Sequence, residues 1–352
     1  MLELRRGRVA SVEQGGDRLT RVVVNVAGDE RPAVGYPQLT GPLVVGDEVI
    51  VNVEAQDLRL GSGGFDIVCA NLTSGLDGVG AADAHVMKLN YTPLQHAVRP
   101  IEEGLEPAPG ALSLPVCVLA LHGQLPAAAF ALARRAPGAR VGYVQTIGGA
   151  LPGQLSDVVA DLLADEMIVD HVTVAPCFGG LREAMTLEGA LHAGSEQLGW
   201  EAAFVAPGPG IIGSSSALGH GGIEALHSAH AALSLGCPVT LAARISAADP
   251  RERHRGLSHH TAVVLGLLLR PVEVAVPDVL AGDARTQLAR AAAAGAGHTL
   301  VDVHAEELLR PYEESGLPAE TMGRALHDDE DFFRAALAAG VALGDKLDGR
   351  ES

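Results

Sequence analysis

Histidines, arginines and glycines crowd one stretch of this chain, from Gly208 to Thr261. Within it, SAADPRERHRGLSHHT sets His254, His259 and His260 near Asp249. Imidazoles and a carboxylate drawn together can act as general acid and base, or hold a divalent ion such as zinc, manganese or iron. The candidate catalytic residues are therefore His254, His259, His260 and Asp249. A metal would draw on His220, His259, His260 and Asp249, although no H-E-x-x-H or other compact ligand spacing is present. Arg244, Arg251, Arg253 and Arg255 make the segment a positive island, and guanidinium forks suit phosphate or carboxylate. The competing reading pairs them with Asp249 and Glu252, so that they only hold the loop in shape.

Upstream lies PGPGIIGSSSALGHGG. It follows an apolar strand pattern and opens a helical one, where free backbone N–H groups favour an anion, so Gly208, Gly210 and Gly213 join the candidate anion site. It is no P-loop, since no G-K-[ST] closes it, and a structural glycine turn is the rival reading. Ser214, Ser215 and Ser216 lack the G-x-S-x-G elbow of a serine nucleophile. His227 and His230 sit three apart on the following helix, and His230 falls on the apolar stripe of Ile223, Leu226 and Leu233, as a satisfied core histidine does. Cys177, before Gly179-Gly180, reads as a packing cysteine.

These residues need a scaffold. From about 111 onward, apolar strand patterns (VCVLAL, RVGYVQT, HVTVAPC, EAAFVAP, PVTLAARI, VEVAVP, HTLVDV) alternate with helical ones, EAMTLEGALHAGSEQL among them. Near-continuous apolar strands separated by helices predict an α/β fold, a Rossmann-like three-layer αβα domain with a mostly parallel sheet. Its ligands would bind beyond the carboxyl ends of the strands. Five βα loops there carry glycine and polar groups, beginning with His122-Gly123-Gln124 and Gln145-Thr146. The acidic run Asp328–Asp331 reads as the solvated first turn of a last helix.

Residues 1–110 differ. TRVVVNV and DEVIVNVEA, bounded by glycine turns, predict a small all-β barrel, SH3-like or OB-like, before the 111–352 domain. LGSGGFDIV reads as a hairpin or bulge needing positive φ, with an anion nest as the rival, and EEGLEPAPGA as a linker. Lys88 reads as an ordinary surface lysine, with pairing to an acid or ligand as its alternative.

Composition narrows the partners. A net charge of −18 argues against broad nucleic-acid or anionic-membrane binding while leaving room for a small anion at a local positive site. Four scattered cysteines, no apolar leader and no membrane-length run predict a cytoplasmic protein without a disulfide framework. A homodimer is a candidate assembly.

ARISAADPRERHRGLSHHT, the GPGIIG loop, TMGRALHDDEDFF, LRLGSGGFDIV and HVMKLNYTPLQ together resemble an uncharacterised bacterial family known only as a domain of unknown function, DUF3866. The resemblance spans nearly the whole chain and implies no catalytic residues. Ala247, Ala262 and the REAM at 182–185 depart from the expected Phe, Leu and acidic D-L-E-A. The residues themselves lead to an expectation of an enzyme acting on a small phosphorylated or carboxylated metabolite, or alternatively a non-catalytic sensor of one.

Overall fold

A computed structural model describes residues 1–60, 63–107, 110–214 and 216–348. The chain divides into two compact units, Met1–Arg99 and Pro100–Ser352.

In the first unit, strands β1 (Leu4–Gln14), β2 (Thr20–Val26), β3 (Asp29–Gly35), β4 (Glu48–Asn52) and β5 (Asp66–Asn71) close a barrel in the order β1-β2-β3-β5-β4. Only β3 and β5 run parallel. Of the two barrel types expected, this is the OB order, a five-stranded Greek key. Short helices α1 (Pro37–Thr40) and α2 (Glu54–Asp57) link its strands. Period-two alternation turns Val22, Val24, Val49, Val51 and Val68 into a valine-rich interior that Leu43 and Ala33 complete, each valine worth about 1.5–3 kcal/mol when buried. Gly63 and Gly64 take positive φ, as the turn reading required, while Gly61 and Ser62 lie outside the described residues.

A hairpin of β6 (Val86–Lys88) and β7 (His96–Val98) follows. Here the reading of Lys88 is corrected. Its side chain is 1% exposed, because the strand turns Met87 outward and Lys88 inward.

The second unit holds β8 (Val116–Leu119), β9 (Val141–Thr146), β10 (Asp170–Val174), β11 (Arg182–Ala184), β12 (Ala202–Pro207) and β13 (Val239–Ala242). A two-stranded excursion, β14 (Ile245–Ser246) with β15 (Gly256–Leu257), precedes β16 (Glu273–Pro277) and β17 (Thr299–Val303). A last small hairpin pairs β18 (Glu320–Thr321) with β19 (Arg324–Ala325). Its helices are α3 (Leu125–Arg135), α4 (Asp157–Ala164), α5 (Leu187–Glu196), α6 (Glu224–Ser234), α7 (His259–Leu267), α8 (Gly282–Ala294), α9 (Leu309–Glu313) and α10 (Glu330–Asp348).

Eight strands form one parallel sheet in the order β11-β10-β9-β12-β8-β13-β16-β17. Successive residues of each strand serve opposite faces. Val118, Val144 and Val205 pack with Leu191, Ala229, Leu265 and Leu288 of α5, α6, α7 and α8. Leu119, Tyr143 and Phe204 pack with Leu132, Leu162, Tyr312 and Phe333 of α3, α4, α9 and α10. This is the expected three-layer αβα arrangement. The order reverses at β8, whose neighbours β12 and β13 both come from late in the chain, so the loops after β9, β12, β8 and β13 emerge side by side.

One expected helix starts later than its pattern suggested. Residues 182–184 add edge strand β11, and α5 begins only after Thr186, whose hydroxyl caps Gly189 N. Ile101 N donates to Glu183 O, and Met185 N to the Glu102 carboxylate, so the acidic segment expected to be a linker begins docked on this edge. Ala108 and Pro109 of that segment lie outside the described residues.

Candidate functional site

The loops beyond the sheet are locked together through glycines. A Cβ on Gly149 would stand 2.0 Å from Gly208 O, and one on Gly208 2.2 Å from Ala150 O. Gly148, at φ +112°, meets Gly221 in the same way. Backbone bonds tie the seam: Ala150 N to Pro209 O, Ile212 N to Gly148 O and Gly221 N to Ile212 O. Gly208 therefore serves close backbone packing and Gly210, at φ +71°, a turn; of the three candidate anion-binding glycines, Gly213 lines the cavity below. Ser214 and Ser216 bond to each other and to Gly219, while Ser215 lies outside the described residues.

The cavity is about 130 Å³ and is lined by Gly213, Ser214, His220, Arg244, Arg251, Arg253, His254 and His260, with Leu121, Ile211, Ile212 and Met322 supplying apolar wall. His220 stacks on His260 with ring centres 3.8 Å apart and planes 9° apart. His259 lies 4.4 Å from His260 and 5.2 Å from His220, and His254 lies 4.9 Å from His259. The fold reason is local. Ser258 caps α7 by accepting from His260 N, and its hydroxyl is 2.7 Å from His254 Nδ1, so cap and imidazoles are set by one side chain.

Asp249 is engaged by the arginines beside these rings. It is fully buried and accepts from Arg251 Nε and Nη2 at 2.9 and 2.8 Å, with Arg244 Nη2 at 3.3 Å. Burial alone would raise its carboxyl pKa; the bonds from Arg251 and the charge of Arg244 reverse that and hold it below the usual range. Arg244, itself 3% exposed, is pushed down to about 10 by burial and by Arg251. Arg255 donates to the Asp249 carbonyl and is absent from the lining, whereas Arg253 is exposed there. The two readings of the arginines thus divide: Arg251 and Arg255 brace the loop, and Arg253 faces the opening.

Burial, reinforced by Arg244, holds His254 down at about 3; burial, His220 and Arg244 hold His260 at about 2. His220 and His259 shift the same way, first through burial. Near neutrality all four are uncharged imidazoles, suited to ligation more than to carrying protons.

Other candidates go elsewhere. His227 is exposed beside Glu224, and His230 Nε2 accepts from Leu269 N. Cys177 is wholly buried. His122 and Gln124, expected in a polar loop, are buried struts: His122 Nε2 meets Ser156 Oγ at 2.8 Å, and Gln124 Nε2 donates to Ala243 O. Burial drops His122 to about 4. Its folded pKa lies below the unfolded value of about 6.5, so its contribution is complete above that value and fades as pH falls toward 4. Acidifying from pH 7.5 to 4.5 should cost wild type on the order of 2 kcal/mol more than His122→Gln, read from urea midpoints at each pH. Parallel losses in both proteins would rule out His122 as the cause.

The acidic run needs correction. Asp329 is 1% exposed, not solvated, and accepts from Ser246 Oγ, Ala247 N and the Arg324 fork. It ties the start of α10 to β14 and to β19, and Arg324 also comes within 3.7 Å of Asp249. Arg324 and Met322 were missed as site neighbours; both lie in TMGRALHDDEDFF, which carried the family signal without showing its place.

A family model described as Protein of unknown function (DUF3866) matches residues 32–340. The chain belongs to this family. For this DUF3866 protein, no curated protein and no solved structure gives a match. Among its described residues, no helix is long and apolar enough to cross a membrane.

Proposed function

We propose that this protein is an enzyme acting on a small anionic metabolite, phosphorylated or carboxylated, at the carboxyl edge of the parallel sheet. The supporting observation is the small cavity where Arg244, Arg251 and Arg253 meet uncharged imidazoles on a chain of net charge −18. A local positive site on an acidic surface selects a small anion over a polyanion. Arg253 provides an exposed guanidinium at the opening, and the apolar wall of Leu121, Ile211, Ile212 and Met322 receives the rest of the ligand.

A thermal-shift panel of phosphorylated and carboxylated metabolites would find the ligand, and calorimetry would measure it. Arg253→Ala should weaken binding about tenfold or more, the size of one charge-assisted hydrogen bond, with melting temperature unchanged. Equal affinity in wild type and variant would sink the anion assignment. Tight binding without turnover of any bound compound would leave a sensor in place of an enzyme.

A further inference from the structure

The tautomers of the imidazole cluster follow from its partners. His220 Nε2 lies 3.0 Å from the Ala217 carbonyl oxygen and must donate to it, leaving Nδ1 a bare lone pair, buried and without a hydrogen-bond partner among the described residues. His260 Nδ1 faces Arg244 Nη1 at 3.5 Å, and since a guanidinium only donates, this nitrogen too is an acceptor.

Both lone pairs border one spot. A Cβ on Gly222 would lie 2.8 Å from His260 Nδ1 and 3.2 Å from His220 Nδ1, so glycine is what keeps the space between them open. His259 Nε2 is, with His220 Nδ1, the second ring nitrogen of the cluster without a partner among the described residues, and ligand atoms of His220, His259 and His260 all fall within 4.8 Å of one another. Two unpartnered ring nitrogens beside a third whose donor, Arg244 Nη1, stands 3.5 Å off are a set that a cation can gather.

We propose that His220, His259 and His260 hold a divalent transition-metal ion whose coordination is completed by an oxyanion of the ligand, a phosphoryl group in preference to a carboxylate. Three imidazoles suit zinc or iron, and they leave coordination positions open. They bring no negative charge. Asp249, the nearby carboxylate, is spent on Arg251 and Arg244, so among the described residues no carboxylate joins the cluster to balance a divalent ion set beside guanidinium groups. A dianion bridging the ion and Arg253 supplies that balance better than a monoanion. Metal and oxyanion must then strengthen each other's binding by the same factor. This inference rests on the anion-holding cavity proposed above.

The test is a cobalt(II) titration of chelator-treated full-length protein, followed by visible absorption and calorimetry, alone and with inorganic phosphate or acetate. One equivalent should bind, phosphate should tighten it about tenfold or more, and acetate should do less. His259→Ala should lose the cobalt band while keeping its circular dichroism and melting curve. Arg253→Ala should keep cobalt and lose the phosphate effect. Phosphate binding with no metal uptake would overturn the metal site and spare the anion cavity. Metal uptake indifferent to phosphate would overturn the bridging oxyanion, and absence of phosphate binding altogether would overturn the cavity reading as well. Equal cobalt uptake by His259→Ala would overturn the ligand assignment.

Discussion

Asp249→Ala should destabilise the second unit by about 3–5 kcal/mol, the usual result of stripping one partner from a buried ion pair. The carboxylate is fully buried and serves Arg251 through a fork, Arg244 at 3.3 Å and Arg324 at 3.7 Å. Arg251 is part-exposed and can turn to water. Arg244 cannot: it is 3% exposed, and its Nε already lacks a partner among the described residues. Removing Asp249 thus leaves a buried cation facing neutral imidazoles. Urea unfolding of wild type and variant measures the loss. A difference under about 1 kcal/mol would mean that the cation relaxes to solvent and that the site is softer than its burial implies.

Gly221→Ala should be nearly as damaging, by an unrelated route. Its Cβ would stand 1.9 Å from Gly148 O and 2.6 Å from Gly148 C, both backbone, so no side chain can swing aside. About 3 kcal/mol is expected, the upper end for overpacking. The displaced loop carries His220, so cobalt uptake should fall as well. Gly266→Ala is the control: it lies inside α7 with open space around its Cβ, and helix propensity alone favours alanine by roughly 0.5–1 kcal/mol. A Gly221→Ala protein that melts and binds cobalt like wild type would show that the seam between the loops yields easily.

The layers were legible in the sequence because they follow from periodicity. Strands such as Val141–Thr146 are buried along their whole length and read as apolar runs, and the barrel strands alternate. Which loops would share an edge was legible too, since parallel strands put every βα turn on one side. What hid was pairing across distance. Asp329 looks like one more acid in a helix-opening run; only its bonds to Ser246 and Ala247, more than eighty residues earlier, make it a buried anchor. Asp249 was placed with the histidines because they are close in sequence, yet its neighbours Arg251 and Arg244 claim it. The glycines of the 208–213 loop carried a correct signal of unusual backbone, but at Gly208 the cause is a neighbouring loop pressing on it.

The sheet order also constrains how the protein can be made. β8 is the first strand of its unit, yet it bonds only to β12 and β13, never to β9. Until residues 202–207 leave the ribosome, β8 has no neighbour on either side, and β9 keeps one edge bare. β8 is wholly apolar and β9 is apolar up to Gln145, and unpaired edges of that kind invite association between chains. Cutting the gene after β9 and before that point, between about residues 147 and 201, should therefore give insoluble material instead of a smaller second unit. The second unit has no foldable first half, and its synthesis carries a long exposed interval that a holding chaperone is suited to cover.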